Sequence, residues 1–119
     1  MPGGIDPHVH LELPFMGTVA VDDFDKGTQA AVAGGTTSFI DFIIPDKNGL
    51  IAGYDDWRRR ADAKVHCDYA LHCAILDWNA DISKEMDEIV RRGVSSFKLF
   101  MAYKGTPFYQ TDERLLSIF

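Results

Sequence analysis

The chain has 119 residues, 46% of them apolar, and a formal charge of −6 at neutral pH. No basic stripe is available to neutralise phosphates, which argues against a nucleic-acid partner, and the acidity serves solubility. No run reaches the roughly 18 apolar residues of a membrane span, and no charged-then-apolar leader opens the chain, so a soluble cytoplasmic protein is expected.

In chain order, Gly3-Gly4-Ile5-Asp6-Pro7-His8-Val9-His10 enters a strand almost at once. Successive strand side chains alternate between faces, so His8 and His10 project to one side and Val9 to the other. Two imidazoles so placed suit one metal ion. A loop with Pro14, Gly17 and bulky apolar side chains follows. A helix begins at Asp22 or Asp23 as cap, carries Phe24, Thr28 and Ala31 at helical spacing, and ends at Gly34-Gly35. Thr36 to Ile44 is a nearly continuous β-branched and aromatic run stopped by Pro45, which predicts a strand buried on both faces.

The alternation continues. Leu50, Tyr54, Trp57 and Ala61 share a helix face, and Tyr69 to Leu76 forms the next strand. Ile82, Met86, Ile89 and Val90 make the stripe of a third helix, with a Glu88–Arg92 pair across one turn and Gly93 as terminator. Val94 to Phe100 is the fourth strand, and Thr111 caps a fourth helix. Arg58-Arg59-Arg60 reads as a solvated helix face. Cys67 and Cys73 have neither zinc-ribbon nor disulfide-framework spacing, and Cys73, alternating with Leu71 and Ile75, reads as a small buried hydrophobe.

Strands separated by helices specify βαβ units and a parallel sheet. The fold class expected is α/β, a partial (β/α)8 barrel of about four units, because a whole barrel takes about 250 residues. A small open α/β sheet is the alternative, but the first strand is followed by Leu11-Glu12-Leu13-Pro14, which has no glycine cradle for a dinucleotide. The final apolar run, Leu115 to Phe119, has no cap. Residues 1–119 are therefore expected to be a fragment of one barrel domain, whose open strand edge invites self-association.

Barrel sites form at the C-terminal ends of strands, where His8 and His10 fall. Lys98 occupies the same level on the fourth strand, and a lysine on a buried strand is costly unless paired, neutralised or modified. Asp41 is either a partner that orients a ligand or a buried carboxylate satisfied by backbone. Asp6 reads as fixing the loop, His72 as a hydrogen-bonded interior histidine, and His66 as solvated in a polar turn.

Gly3 to His10, Ala33-Gly34-Gly35-Thr36-Thr37 and Ser96-Phe97-Lys98-Leu99-Phe100-Met101-Ala102-Tyr103-Lys104 together resemble the cyclic-amidohydrolase superfamily, and within it the dihydropyrimidinase or hydantoinase group. The resemblance implies zinc-dependent hydrolysis of the cyclic amide C–N bond in 5,6-dihydropyrimidines or hydantoins, giving N-carbamoyl amino acids. It implies His8 and His10 as metal ligands and two zinc ions bridged by an N6-carboxylated Lys98. It also implies that Tyr103 contacts the substrate and stabilises the oxyanion, that Leu13, Phe15 and Phe100 line the substrate pocket, and that the enzyme is a homo-oligomer, by family a tetramer.

Dihydroorotases carry an arginine where Glu12 stands, suited to a substrate carboxylate that Glu12 would repel. Allantoinases read Glu-Pro-Gly-Arg where this chain has Leu13 to Gly17. The alternative is a catalytically silent scaffold of the collapsin-response mediator type, which keeps the fold but loses metal-binding histidines. Two further histidines and an aspartate would complete the family's site, and none stands at the required places within residues 1–119. The isolated chain is therefore expected to bind metal weakly and to lack turnover.

Overall fold

The computed structural model describes residues 1–119. In chain order the elements are β1 (Gly4–Val9), β2 (Pro14–Phe15), β3 (Thr18–Val19), α1 (Phe24–Ala33), β4 (Thr36–Ile43), α2 (Leu50–Asp62), β5 (Asp68–Ala74), α3 (Ala80–Arg91), β6 (Phe97–Lys98) and α4 (Asp112–Ile118). The class is the expected α/β. The main sheet has hydrogen-bonded order β1-β4-β5-β6, which follows the chain, and its β1–β4 and β5–β6 pairs run parallel. No helix is long and apolar enough to cross a membrane.

Helices start where a side chain can take the first free N–H groups. Asp23 accepts from the N–H of Lys26 at 2.6 Å ahead of α1. Asn79 accepts from Asp81 and Ile82 ahead of α3, and Thr111 accepts from Arg114 ahead of α4. α2 has no such residue of its own. Its first N–H groups, on Leu50 and Ile51, are taken by the carboxylate of Glu85 from α3 at 2.5 and 3.2 Å. Gly49 turns into α2 at φ +99°, and a Cβ there would come within 2.6 Å of that carboxylate. Glycine meets both demands.

The chain forms two compact units. Unit one comprises residues 1–42 and 56–71. Its buried apolar residues are Leu11, Phe24, Phe39, Phe42, Trp57, Ala61 and Leu71. β1 runs beside β4 with Ile5 opposite Ser38, Asp6 opposite Phe39 and Val9 opposite Asp41, and the register shifts between Asp6 and Val9. Pro7 lies in that interval and has no N–H for the ladder. Unit two comprises residues 43–55 and 72–119, with Ile43, Leu50, Cys73, Ala74, Ile75, Ile89 and Val94 buried. There β5 pairs with β6, Cys73 opposite Phe97 and Ala74 opposite Lys98.

Several sequence expectations are corrected. The segment after His10 is a two-stranded antiparallel hairpin, Phe15 opposite Thr18, rather than a plain loop. Its turn residues Met16 and Gly17 both take positive φ, 49° and 82°, the pattern that matches the twist of a tight hairpin. β4 is buried at Phe39 and from Asp41 to Ile43, with Ile40 half-buried and Thr37 exposed. β6 is two residues long, with a single further bridge from Phe100 to Tyr109, and is half-buried rather than covered on both faces. Val90 is 49% exposed, so the α3 stripe is narrower than its apolar pattern.

Two predictions follow from the helix ends. Glu85→Ala strips α2 of its acceptor, and urea unfolding should show a loss of roughly 1–2 kcal/mol, the range for deleted caps. In α1, Asp25 is held down to about 2, chiefly by the His66 ring at 2.7 Å and then by Lys26 and Gln29. That value lies below the ordinary 3.8, so the stabilisation is full above 3.8 and disappears as pH falls through about 2. Asp25→Asn should lower the thermal midpoint at neutral pH, with the difference from the parent shrinking toward zero in strong acid.

Candidate active site

The histidine pair is set by β1. Asp6 Oδ1 accepts the backbone N–H of His8 at 3.1 Å, which fixes the chain on either side of Pro7. The two imidazoles stand edge to face with centroids 5.2 Å apart, and both pack on Phe42, at 4.4 and 5.0 Å. Strand alternation thus brings His8 and His10 together as expected.

Behind His10 lies Asp41, whose side chain is 1% exposed and whose Oδ1 is 3.9 Å from His10 Nδ1. Burial pushes this carboxyl up to about 7, against the opposing pull of the Phe42 and Leu11 N–H groups, the Trp57 indole and the Arg60 charge. The Phe42 N–H donates to Oδ1 at 2.7 Å. The indole faces the carboxyl without closing a bond of normal geometry, since Asp41 Oδ2 and Trp57 Nε1 both lack a hydrogen-bond partner. Asp41 thus sits behind a histidine beyond hydrogen-bond distance, and backbone satisfies only one of its oxygens.

Two residues beyond His10 the backbone turns through Glu12 at φ 50°. The carboxylate of Glu12 pairs with Lys64, lies 3.6 Å from Arg60 Nη1, and accepts the N–H of Phe24 at 3.3 Å. Arg60 also donates to the Glu12 carbonyl and covers the Trp57 ring at 4.1 Å. The sequence reading of Glu12 as a group that repels a substrate carboxylate is thereby replaced. Its charge is spent on two cations from α2 and the turn after it, and its role is to hold the turn. Leu13 and Phe15 follow on the hairpin, both half-buried, and the Leu13 carbonyl accepts the N–H of Ala20 at 2.9 Å.

In unit two, Lys98 is half-buried, with Nζ 4.8 Å from the centre of the Phe100 ring. Desolvation holds its ammonium below the usual lysine range. Tyr103, 42% exposed, has φ 65°, a conformation that costs a bulky residue about 1 kcal/mol or more and persists only when its surroundings impose it. The Tyr103 carbonyl accepts the N–H and hydroxyl of Thr106 at 3.0 and 2.7 Å. Its ring meets those of Phe100 and Phe108 at 5.9 and 6.2 Å, and these two lie 5.5 Å apart.

Of the other histidines, His72 bonds Ser96 Oγ through Nδ1, the interior role expected. His66 is 46% exposed but hydrogen-bonded to Asp25 through Nε2 rather than simply solvated. Sequence reasoning passed over Gln110, which is 1% exposed and has its amide nitrogen directed at three carbonyls. A single glutamine between an aromatic residue and a helix cap gives no periodic signal.

Taken by themselves, the two imidazoles of unit one, fixed side by side on one strand, are donors that suit zinc, and the partly desolvated lysine of unit two is able to become an oxygen donor. Within the chain no group of three or more His, Cys, Asp or Glu side chains converges to hold a metal.

The pattern of the amidohydrolase family matches residues 1–113. The chain is 59% identical to dihydropyrimidinase of Dictyostelium discoideum over its whole length and 24% of that protein's. It is 46% identical to D-hydantoinase of Streptomyces coelicolor, over 98% of this chain and 25% of that one. Among solved structures, D-hydantoinase from Bacillus sp. AR9 matches with a TM-score of 0.90 and 43% identity, covering 98% of this chain and 26% of that one. D-hydantoinase (dihydropyrimidinase) from Thermus sp. matches with a TM-score of 0.89 and 40% identity, over 98% and 25% of the two chains. The chain thus spans about a quarter of the length of these relatives. With its βα succession, histidine strand and family pattern in agreement, the chain belongs to the amidohydrolase family.

Proposed function

We propose that this chain is part of a zinc-dependent cyclic amidohydrolase that opens 5,6-dihydropyrimidine or hydantoin rings to N-carbamoyl amino acids. The observation that carries the reading is the His8–His10 pair, packed on Phe42 in front of a buried carboxyl. It stands in a chain whose relatives are dihydropyrimidinases and D-hydantoinases.

His8, His10 and an N6-carboxylated Lys98 would hold two zinc ions, the lysine carbamate bridging them. When bound, such a pair supplies Lewis acidity at the scissile carbonyl and a nucleophile at neutral pH. Carboxylation requires the neutral amine: the Nζ lone pair adds to the carbon of CO2 and a proton leaves nitrogen. Desolvation of Lys98 favours that neutral form. The modification turns a costly half-buried cation into an anion with two oxygen donors.

Tyr103 is assigned to the oxyanion. A phenol O–H held in place donates to the oxygen on which charge develops as the ring carbonyl becomes tetrahedral. Phe100 and Phe108 restrict its ring, so little reorganisation accompanies that step. Leu13, Phe15 and Phe100 are assigned to the substrate ring, which they would cover with apolar surface and shield from water.

Intact-mass analysis of the full-length protein, prepared with zinc, should find an acid-labile carbamate on Lys98. Lys98→Ala should abolish dinuclear metal binding, and an unchanged stoichiometry of two zinc ions would contradict the bridging role. Tyr103→Phe should lower kcat for dihydrouracil or hydantoin by roughly 10²–10³-fold, the usual effect of losing one oxyanion donor, with metal content unchanged. A full-length protein that holds no zinc, carries no carbamate and opens neither ring would be the silent scaffold instead.

A further inference from the structure

We infer that Gln110 is a positioning residue for Tyr103, acting as a buried clamp on the loop that carries it. The inference rests on the cyclic-amidohydrolase reading and extends it to a residue outside the reacting groups.

Gln110 is among the most deeply buried polar residues of the chain, at 1% exposure. Its amide nitrogen donates to the carbonyls of Leu76 at 3.0 Å, Ile75 at 3.2 Å and Phe108 at 3.4 Å. Three carbonyls around one nitrogen fix which end of the carboxamide is NH2, because an oxygen there would meet only acceptors. The Gln110 backbone N–H donates to the Phe100 carbonyl at 2.9 Å. One residue therefore binds both Phe100 and Phe108, the two aromatics that flank the Tyr103 ring, and ties them to the residues that follow β5.

The intervening chain transmits the constraint. The N–H of Tyr109 donates to the Thr106 carbonyl at 3.3 Å, and the N–H of Thr106 donates to the Tyr103 carbonyl at 3.0 Å. The positive φ of Tyr103 is thus imposed by a hydrogen-bonded loop closed at its far end by Gln110. A glutamine retained only to fill space could be replaced by an apolar side chain of its size, which would also remove the buried Oε1 that has no partner. The side-chain bonds to Phe108, Ile75 and Leu76 are what such a replacement would lose, leaving the backbone bond to Phe100 as the loop's remaining tie.

The test is a double-mutant cycle in the full-length zinc protein, with Gln110→Met as the nearly isosteric change and Tyr103→Phe as the second. Gln110→Met should lower kcat on dihydrouracil roughly tenfold, consistent with misplacing a group on the reacting centre, with zinc content and KM little changed. In the Tyr103→Phe background the same change should cost nothing further. Losses that multiply, or a loss confined to zinc content, would overturn the inference. Gln110→His, which keeps an N–H donor, should recover part of the rate. If Gln110→Met does not fold, the cycle is run with Gln110→His, and a smaller loss that vanishes in the Tyr103→Phe background is the expected result. Absence of turnover by the parent would refute the functional reading itself. The clamp is then read by hydrogen exchange: faster exchange over residues 103–110 in the variant supports it, and unchanged protection sinks it.

Discussion

Asp41 places a carboxyl group on β4 where almost none of its side chain meets water, and the polar groups of unit one are arranged around that burial. An isolated carboxylate in such a place is strongly disfavoured, and the remedies are neutralisation, hydrogen bonds or nearby positive charge. All three are visible in part. The Phe42 N–H bonds one oxygen, burial raises the proton affinity, and the Arg60 guanidinium lies over the Trp57 ring whose indole faces the acid. Arg60 is itself held by Asp56 and Glu12, and Glu12 governs the turn that follows His10. The buried acid, the aromatic ring and the arginine form one connected group, and through Glu12 it reaches the turn that follows the histidine strand.

Unit two fixes its loop by other means. A neutral carboxamide, backbone carbonyls and three aromatic rings do the positioning. A charged network draws on long-range attraction but needs each charge compensated, whereas a neutral amide gains only from close geometry. The first suits a strand beside a prospective cation. The second suits a phenol whose orientation matters more than the local potential.

How much of this was legible in the sequence depended on the span of each interaction. Asp23, Gly93, Thr111 and the Glu88–Arg92 pair act within a turn or so, and local spacing identified them. The His8–His10 pair was readable because strand alternation is a local rule, and Lys98 stood out through its motif. Glu12 with Lys64, Glu85 with Leu50 and Gln110 with Ile75 join residues 52, 35 and 35 positions apart. Nothing in a local pattern selects these partners before the fold does. The hairpin at Met16-Gly17 escaped for a different reason: methionine at positive φ is uncommon, and only the twist of the paired strands makes it acceptable there. The partial exposure of β6 was invisible because apolar composition reports what could be buried, not what covers it.

The irregular stretch of β1 has one more consequence. Between Asp6 and Val9 the regular pairing with β4 is interrupted. Pro7 offers no donor there, and the N–H of His8 is taken by the Asp6 carboxylate, so a side chain rather than the sheet ladder shapes the backbone just ahead of the imidazoles. The spacing of the two rings is therefore written into Asp6 and Pro7 themselves, and small adjustments of β4 beside β1 can occur without carrying the rings along.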